Sequence, residues 1–88
     1  MNKATLLSLD GNNLIGEISV EDIIEKKHVY TISGTWIGIC QIVSPSQHHE
    51  IIIEYQGHLY KGHFQSISGG PDCDVIIICK RIKNTIRN

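Results

Sequence analysis

His48, Glu50 and His63 are the residues whose types and spacing could hold a metal ion. Gln56-Gly57 predicts a two-residue hairpin turn, since glycine takes the positive φ that such turns need. In that register Glu50 lies opposite His63, with cross-strand Cβ atoms about 4.5–5.5 Å apart, and His48 shares their face. Neutral imidazole and carboxylate both suit zinc and related divalent ions. The competing interpretation, which the absence of a known ligand spacing favours, is a solvated hairpin face with one charge pair.

The remaining reactive side chains do not assemble into a catalytic pattern. Cys73 stands between two aspartates, and neighbouring carboxylates disfavour the thiolate that a nucleophile needs. Cys40 and Cys79 lie in apolar stretches and fit small core residues. The sequence contains no nucleophile elbow, phosphate-binding loop or paired catalytic carboxylates. We therefore expect that the protein is not an enzyme.

Strands must position these residues, because short apolar stretches alternate with glycine-, proline- and asparagine-rich turns. The expected strands are 4–9, 14–20, 28–33, 35–43, 50–55, 58–67 and 75–82. Turn signals every 8–12 residues predict an all-β fold, a small barrel or sandwich of six or seven short antiparallel strands. At 88 residues the chain is expected to form a single domain, 1–88.

Residues 19–27 fit two structures equally well. Ser19 and Asp22 have the spacing of a capping box, and Ile23 and Ile24 could face a core, which predicts one or two helical turns. Continued strand followed by a charged loop explains the same residues.

The hairpin register separates a core face from an outer face. The residues predicted to face the core are Ile51, Ile53, Tyr55, Tyr60 and Phe64. Those predicted to face outward are Glu50, Ile52, Glu54, Leu59, Lys61 and His63.

The final strand, residues 75–82, opens with four consecutive apolar residues. At a sheet edge, such a strand would expose unpaired backbone groups and two apolar faces, which invites aggregation. A second subunit covering Ile76 and Ile78 would remove that hazard, and a twofold dimer is the commonest closed arrangement. We therefore predict a homo-oligomer whose interface draws on Val75, Ile76, Ile78 and Trp36, although the large area of an indole favours Trp36 as a core anchor over an exposed binding residue. The alternative is that the strand lies centrally in one barrel and needs no partner.

The charge balance argues against a general nucleic-acid-binding protein. The net charge is −1, whereas proteins that hold nucleic acid by its phosphates usually carry a positive excess. If nucleic acid binds, Lys80, Arg81 and Lys83 near the C-terminus are the expected contacts.

Two short segments resemble known barrels. Residues 4–18 are similar to the first hairpin of Sm-like RNA-binding barrels, which implies RNA as a partner. Residues 33–38 resemble the Gly-x-Trp entry to the first strand of lipocalin-like barrels, but too few residues follow to close eight strands around a ligand. The chain is assigned to neither family.

Composition suggests a setting for the protein. The odd number of cysteines, the lack of an apolar signal-peptide run and the lack of an ~18-residue apolar stretch predict a cytoplasmic protein with reduced thiols. The bias toward Ile, Asn and Lys indicates an AT-rich genome, bacterial or viral.

Together these features predict a small non-catalytic binding module that self-associates and acts as an inhibitor, adaptor or assembly subunit. No cofactor is expected unless the candidate metal site is used. The alternatives are a nucleic-acid-binding β-barrel and a metal- or small-molecule-binding protein.

Overall fold

A computed structural model describes residues 2–38, 50–68 and 73–83. Within these ranges the chain forms six strands and no helix. The strands are β1 (Lys3–Leu7), β2 (Leu14–Lys26), β3 (Val29–Trp36), β4 (Ile51–Tyr55), β5 (His58–Ser68) and β6 (Asp74–Ile82). The predicted all-β fold is confirmed, and of the two predicted architectures it is the barrel.

The barrel closes in the order β1-β2-β3-β6-β5-β4, with every neighbouring pair antiparallel and β4 paired back to β1. Closure gives every strand two hydrogen-bonded neighbours, although residues 22–26 of β2 extend past β1 and, among the described residues, pair only with β3. In particular, β6 lies between β3 and β5 and is hydrogen-bonded to both. An exposed edge at residues 75–82 is therefore not a reason for self-association, and the central placement is correct.

The helical interpretation of residues 19–27 is wrong. Residues 19–26 continue β2, and Ile23 pairs with Ile32 of β3 and packs against the core. The capping-box pair, Ser19 and Asp22, flanks a β-bulge in which Glu21 is the extra residue. Pairing with β3 supplies inter-strand hydrogen bonds on one side of this stretch, interrupted by the bulge at Glu21, and it prevails over a local signal for one or two helical turns.

Alternation along each strand separates the core from the outer surface. The hairpin departs from the prediction at one residue, because Ile52, predicted to face outward, is only 6% exposed although it lies outside the core cluster. The hairpin register runs from Tyr55 opposite His58 to Ile51 opposite Gly62. All five residues predicted to face the core are buried. Two aromatic pairs line the interior. The rings of Tyr30 and Tyr60 meet edge to face with their centroids 5.1 Å apart, and the ring centroids of Trp36 and Phe64 are 6.4 Å apart.

Two glycines let the barrel curve tightly around this core. A Cβ at Gly16 would overlap the indole of Trp36, and a Cβ at Gly62 would overlap the β6 backbone at Ile78 and Cys79. A side chain at either position would force its neighbours to shift, and glycine is common where a strand bends or another group approaches closely.

The predicted strands 28–33 and 35–43 are joined across Gly34 into β3, which ends at Trp36. Glycine suits this position, because a Cβ atom at residue 34 would overlap the backbone of Ser19 in the adjacent strand β2. Residues 39–43 lie outside the described part of the chain.

Candidate functional site

The outer face of β6 has an ordered sequence of side chains. Its outward positions are Asp74, Ile76, Ile78 and Lys80, and they alternate with buried Val75, Ile77 and Cys79. Ile76 and Ile78 are only half-buried, although β6 is hydrogen-bonded on both sides. The face therefore presents two apolar side chains between the negatively charged Asp74 and the positively charged Lys80.

Two of the four predicted interaction residues are on this face and two are not. Val75 is 1% exposed and Trp36 is 7% exposed, and both belong to the barrel core. Their alternation places them inward, so a partner that docks on the folded barrel cannot contact them to any extent. Ile76 and Ile78 remain as the predicted interaction residues that a partner can reach.

Neighbouring strands extend the apolar surface around Ile78. Thr31 of β3 lies directly beside Ile78, and Ile24 of β2 lies beside Thr31 with 54% of its surface exposed. Small hydroxyl residues, Ser33 and Ser66, flank Ile76. We call Ile24, Thr31, Ile76 and Ile78 the outer patch. The sequence did not predict Ile24 on this surface, because its pairing with Thr31 exists only if residues 19–26 form a strand and not a helix.

One end of this surface concentrates negative charge. The hydroxyl of Thr35 lies 3.1 Å from Glu21 Oε2 and 3.2 Å from Asp74 Oδ1. A hydroxyl donates only one proton, so it satisfies one of these carboxylates at a time. The bulge in β2 is what allows Glu21 to reach Thr35, and two carboxylates consequently approach the same small group.

The opposite end concentrates positive charge. Lys61 of β5 lies directly opposite Lys80 of β6, and both are exposed. Like charges in directly opposed positions destabilise a sheet. In the described residues the ion pair within 4.0 Å is Lys3 with Glu17, on the far side of the barrel, and no carboxylate there pairs with either lysine.

The predicted metal ligands are only partly described. His63 is half-buried on β5 beside Ile78, and Glu50 is exposed immediately before β4. Continuing the hairpin register by one step places Glu50 opposite His63, whereas His48 lies outside the described residues. Among residues 2–38, 50–68 and 73–83, no three His, Cys, Asp or Glu residues gather as a metal site. Binding by His48, Glu50 and His63 stays a prediction, which metal content before and after His63→Ala would test.

The predicted nucleic-acid contacts are exposed but do not share one environment. Lys80 points outward from β6, and Lys83 follows the strand. The Arg81 guanidinium lies at the end of the barrel, where its Nη2 is 2.8 Å from Nδ1 of His58. Because the guanidinium is always a donor, this contact requires a lone pair on Nδ1 of the imidazole. Arg81 is therefore engaged with His58 instead of extending alongside Lys80.

The described cysteines fit the core. Burial raises the pKa of the Cys79 thiol to about 12, and its Sγ lies 3.7 Å from the Tyr30 carbonyl oxygen. Cys73 is also buried, while Cys40 lies outside the described residues. A thiol that stays protonated at neutral pH is a poor nucleophile and metal ligand.

Comparisons with protein-family models, curated proteins and solved structures find no match to this chain. In the described ranges, no helix has the length and apolar character needed to cross a membrane. The chemistry of the outer face is therefore the basis for a functional proposal.

Proposed function

We propose that this protein is a non-catalytic binding module that self-associates through the outer patch. The observation that carries the proposal is the outward, half-buried position of Ile76 and Ile78 on a strand whose backbone is already paired. A second copy would engage these side chains face to face and would not add a strand to the sheet.

The grouping of the apolar residues supports this proposal. Single exposed hydrophobic residues are normal on soluble proteins, but contiguous apolar patches mark interaction surfaces. Ile24, Thr31 and Ile78 lie side by side on three adjacent strands. The Thr31 side chain, which carries a methyl group, stands between the two isoleucines in this register. An inhibitor, adaptor or assembly subunit would use such a surface without any catalytic group.

Light scattering coupled to size exclusion tests self-association across the micromolar range. We expect a dimer or ring for the native protein and a folded monomer for Ile78→Lys, because a buried lysine at the interface would lose its hydration. Thr5→Lys is the matched control. Thr5 points outward from β1, on the opposite side of the barrel between Glu17 and Glu54, so the assembly should persist.

Circular dichroism on both variants separates loss of assembly from loss of fold. A native protein that elutes with the mass of one chain at every concentration would contradict the proposal. Dissociation by Thr5→Lys as readily as by Ile78→Lys would remove the outer patch as the interface.

A further inference from the structure

We infer that the second copy docks with its β6 antiparallel over β6, about a twofold axis between Ile76 and Ile78. In this arrangement Lys80 of each copy faces Asp74 of the other. The inference rests on the proposed self-association, and it specifies the geometry of the dimer.

The order of outward residues on β6 is what sets this geometry. Asp74, Ile76, Ile78 and Lys80 are spaced evenly about residue 77, with an acid at one end and a base at the other. A half-turn that reverses the strand exchanges Asp74 with Lys80 and Ile76 with Ile78. Opposite charges then meet at both ends, and the isoleucines meet at the centre.

A parallel arrangement does not fit this pattern. It would place Asp74 against Asp74 and Lys80 against Lys80, and like-charge contacts across an interface are unfavourable. The charge order of β6 therefore selects the antiparallel dimer as well as the position of its axis.

Antiparallel docking also relieves both charge clusters within one barrel. The partner's Lys80 would approach Asp74 and Glu21, the two carboxylates that share the Thr35 hydroxyl. The partner's Asp74 would in turn approach Lys80 and Lys61, which oppose each other across β5 and β6. Each copy thus supplies an opposite charge to the two clusters of the other copy, for which the described residues contain no ion pair within 4.0 Å.

Charge reversal distinguishes the antiparallel dimer from other occupants of the same face. The variants are Asp74→Lys, Lys80→Glu and the double variant, with Lys3→Glu on β1 as the matched control. The dimer dissociation constant is measured by sedimentation at ~0.15 M salt, and circular dichroism verifies the fold of each variant.

We expect each single reversal to raise the dissociation constant by about tenfold, since twofold symmetry reverses two pairs at once. The double variant should return to within about threefold of the native value, and Lys3→Glu should leave it unchanged. Full affinity in both single variants would overturn the antiparallel geometry while leaving self-association intact. A double variant weaker than either single variant would also overturn it. A monomeric native protein would refute the proposed function and this inference together.

If the native protein is monomeric yet binds an acidic peptide or nucleic acid with an affinity that Lys80→Glu weakens, then the basic end serves a different partner. That result would assign Lys61 and Lys80 to an acidic ligand and would also overturn the dimer.

Discussion

The indole of Trp36 lies against the backbone of Gly16, in a space where a Cβ atom would overlap its six-membered ring. The two residues belong to adjacent strands, β2 and β3, and face the barrel interior. Trp36 thus fills the core only because position 16 has no side chain.

Gly16→Ala should therefore destabilise the protein by about 1–3 kcal/mol, the usual cost of overpacking a core. Urea denaturation followed by circular dichroism gives the free energy of unfolding. In a Trp36→Phe background, the smaller ring leaves room for the methyl group, so the alanine should cost measurably less. An equal cost in both backgrounds would show that the indole is not the cause.

Two substitutions in the β2–β3 turn should stabilise the folded protein. Lys27 and His28 both have positive φ, 54° and 68°, which non-glycine residues seldom adopt. A two-residue turn with positive φ at both positions favours Asn-Gly. Replacing Lys27 by Asn and His28 by Gly should raise the free energy of unfolding by about 1 kcal/mol.

Thermal or chemical denaturation measures that change. The control is Lys26→Asn, one residue earlier in ordinary strand, where asparagine should lower stability because it is a poor strand former. A lower melting temperature in the Lys27/His28 double variant would contradict the prediction.

The buried Cys79 thiol should make stability fall at alkaline pH. Burial raises its pKa from 9.0 to about 12, so above pH ~9 the unfolded chain loses this proton while the folded protein keeps it. The unfolded state then binds fewer protons, and the free energy of unfolding decreases as pH rises from about 9 toward 12. Denaturation at several pH values gives the slope of the free energy of unfolding against pH. Cys79→Ala removes this thiol and leaves the other groups that titrate at alkaline pH, so its slope should be smaller. Equal slopes would contradict a buried, protonated thiol.

The protein should not be a general nucleic-acid binder. Lys80 and Arg81 occupy different positions around the strand, and Arg81 is engaged with His58. Fluorescence anisotropy with single-stranded RNA and duplex DNA at ~0.15 M salt should give no binding tighter than the non-specific range of about 10⁻⁴ to 10⁻⁶ M. Tighter binding that Lys83→Ala weakens would instead favour the nucleic-acid alternative.

Local patterns were sufficient for most of the fold. Gln56-Gly57 fixed the β4–β5 register, because a tight turn permits few pairings and a shift by one residue would move buried side chains to the surface. The four apolar residues that open β6 indicated a strand, yet they did not distinguish an edge strand from a central one. Ile76 and Ile78 were therefore predicted as interaction residues on the wrong premise of a sheet edge, and their role in binding stays a prediction.

The sequence by itself therefore determined the all-β class, most of the strands and the register of the β4–β5 hairpin, since these depend on neighbours within a few residues. Only the tertiary structure decided that β6 pairs with β3 and β5, that Trp36 and Val75 face the core, and that Glu21 reaches Thr35 beside Asp74. These relationships join residues far apart in the chain. Barrel closure and a bulge bring them together, and neither leaves a short-range signal in the sequence.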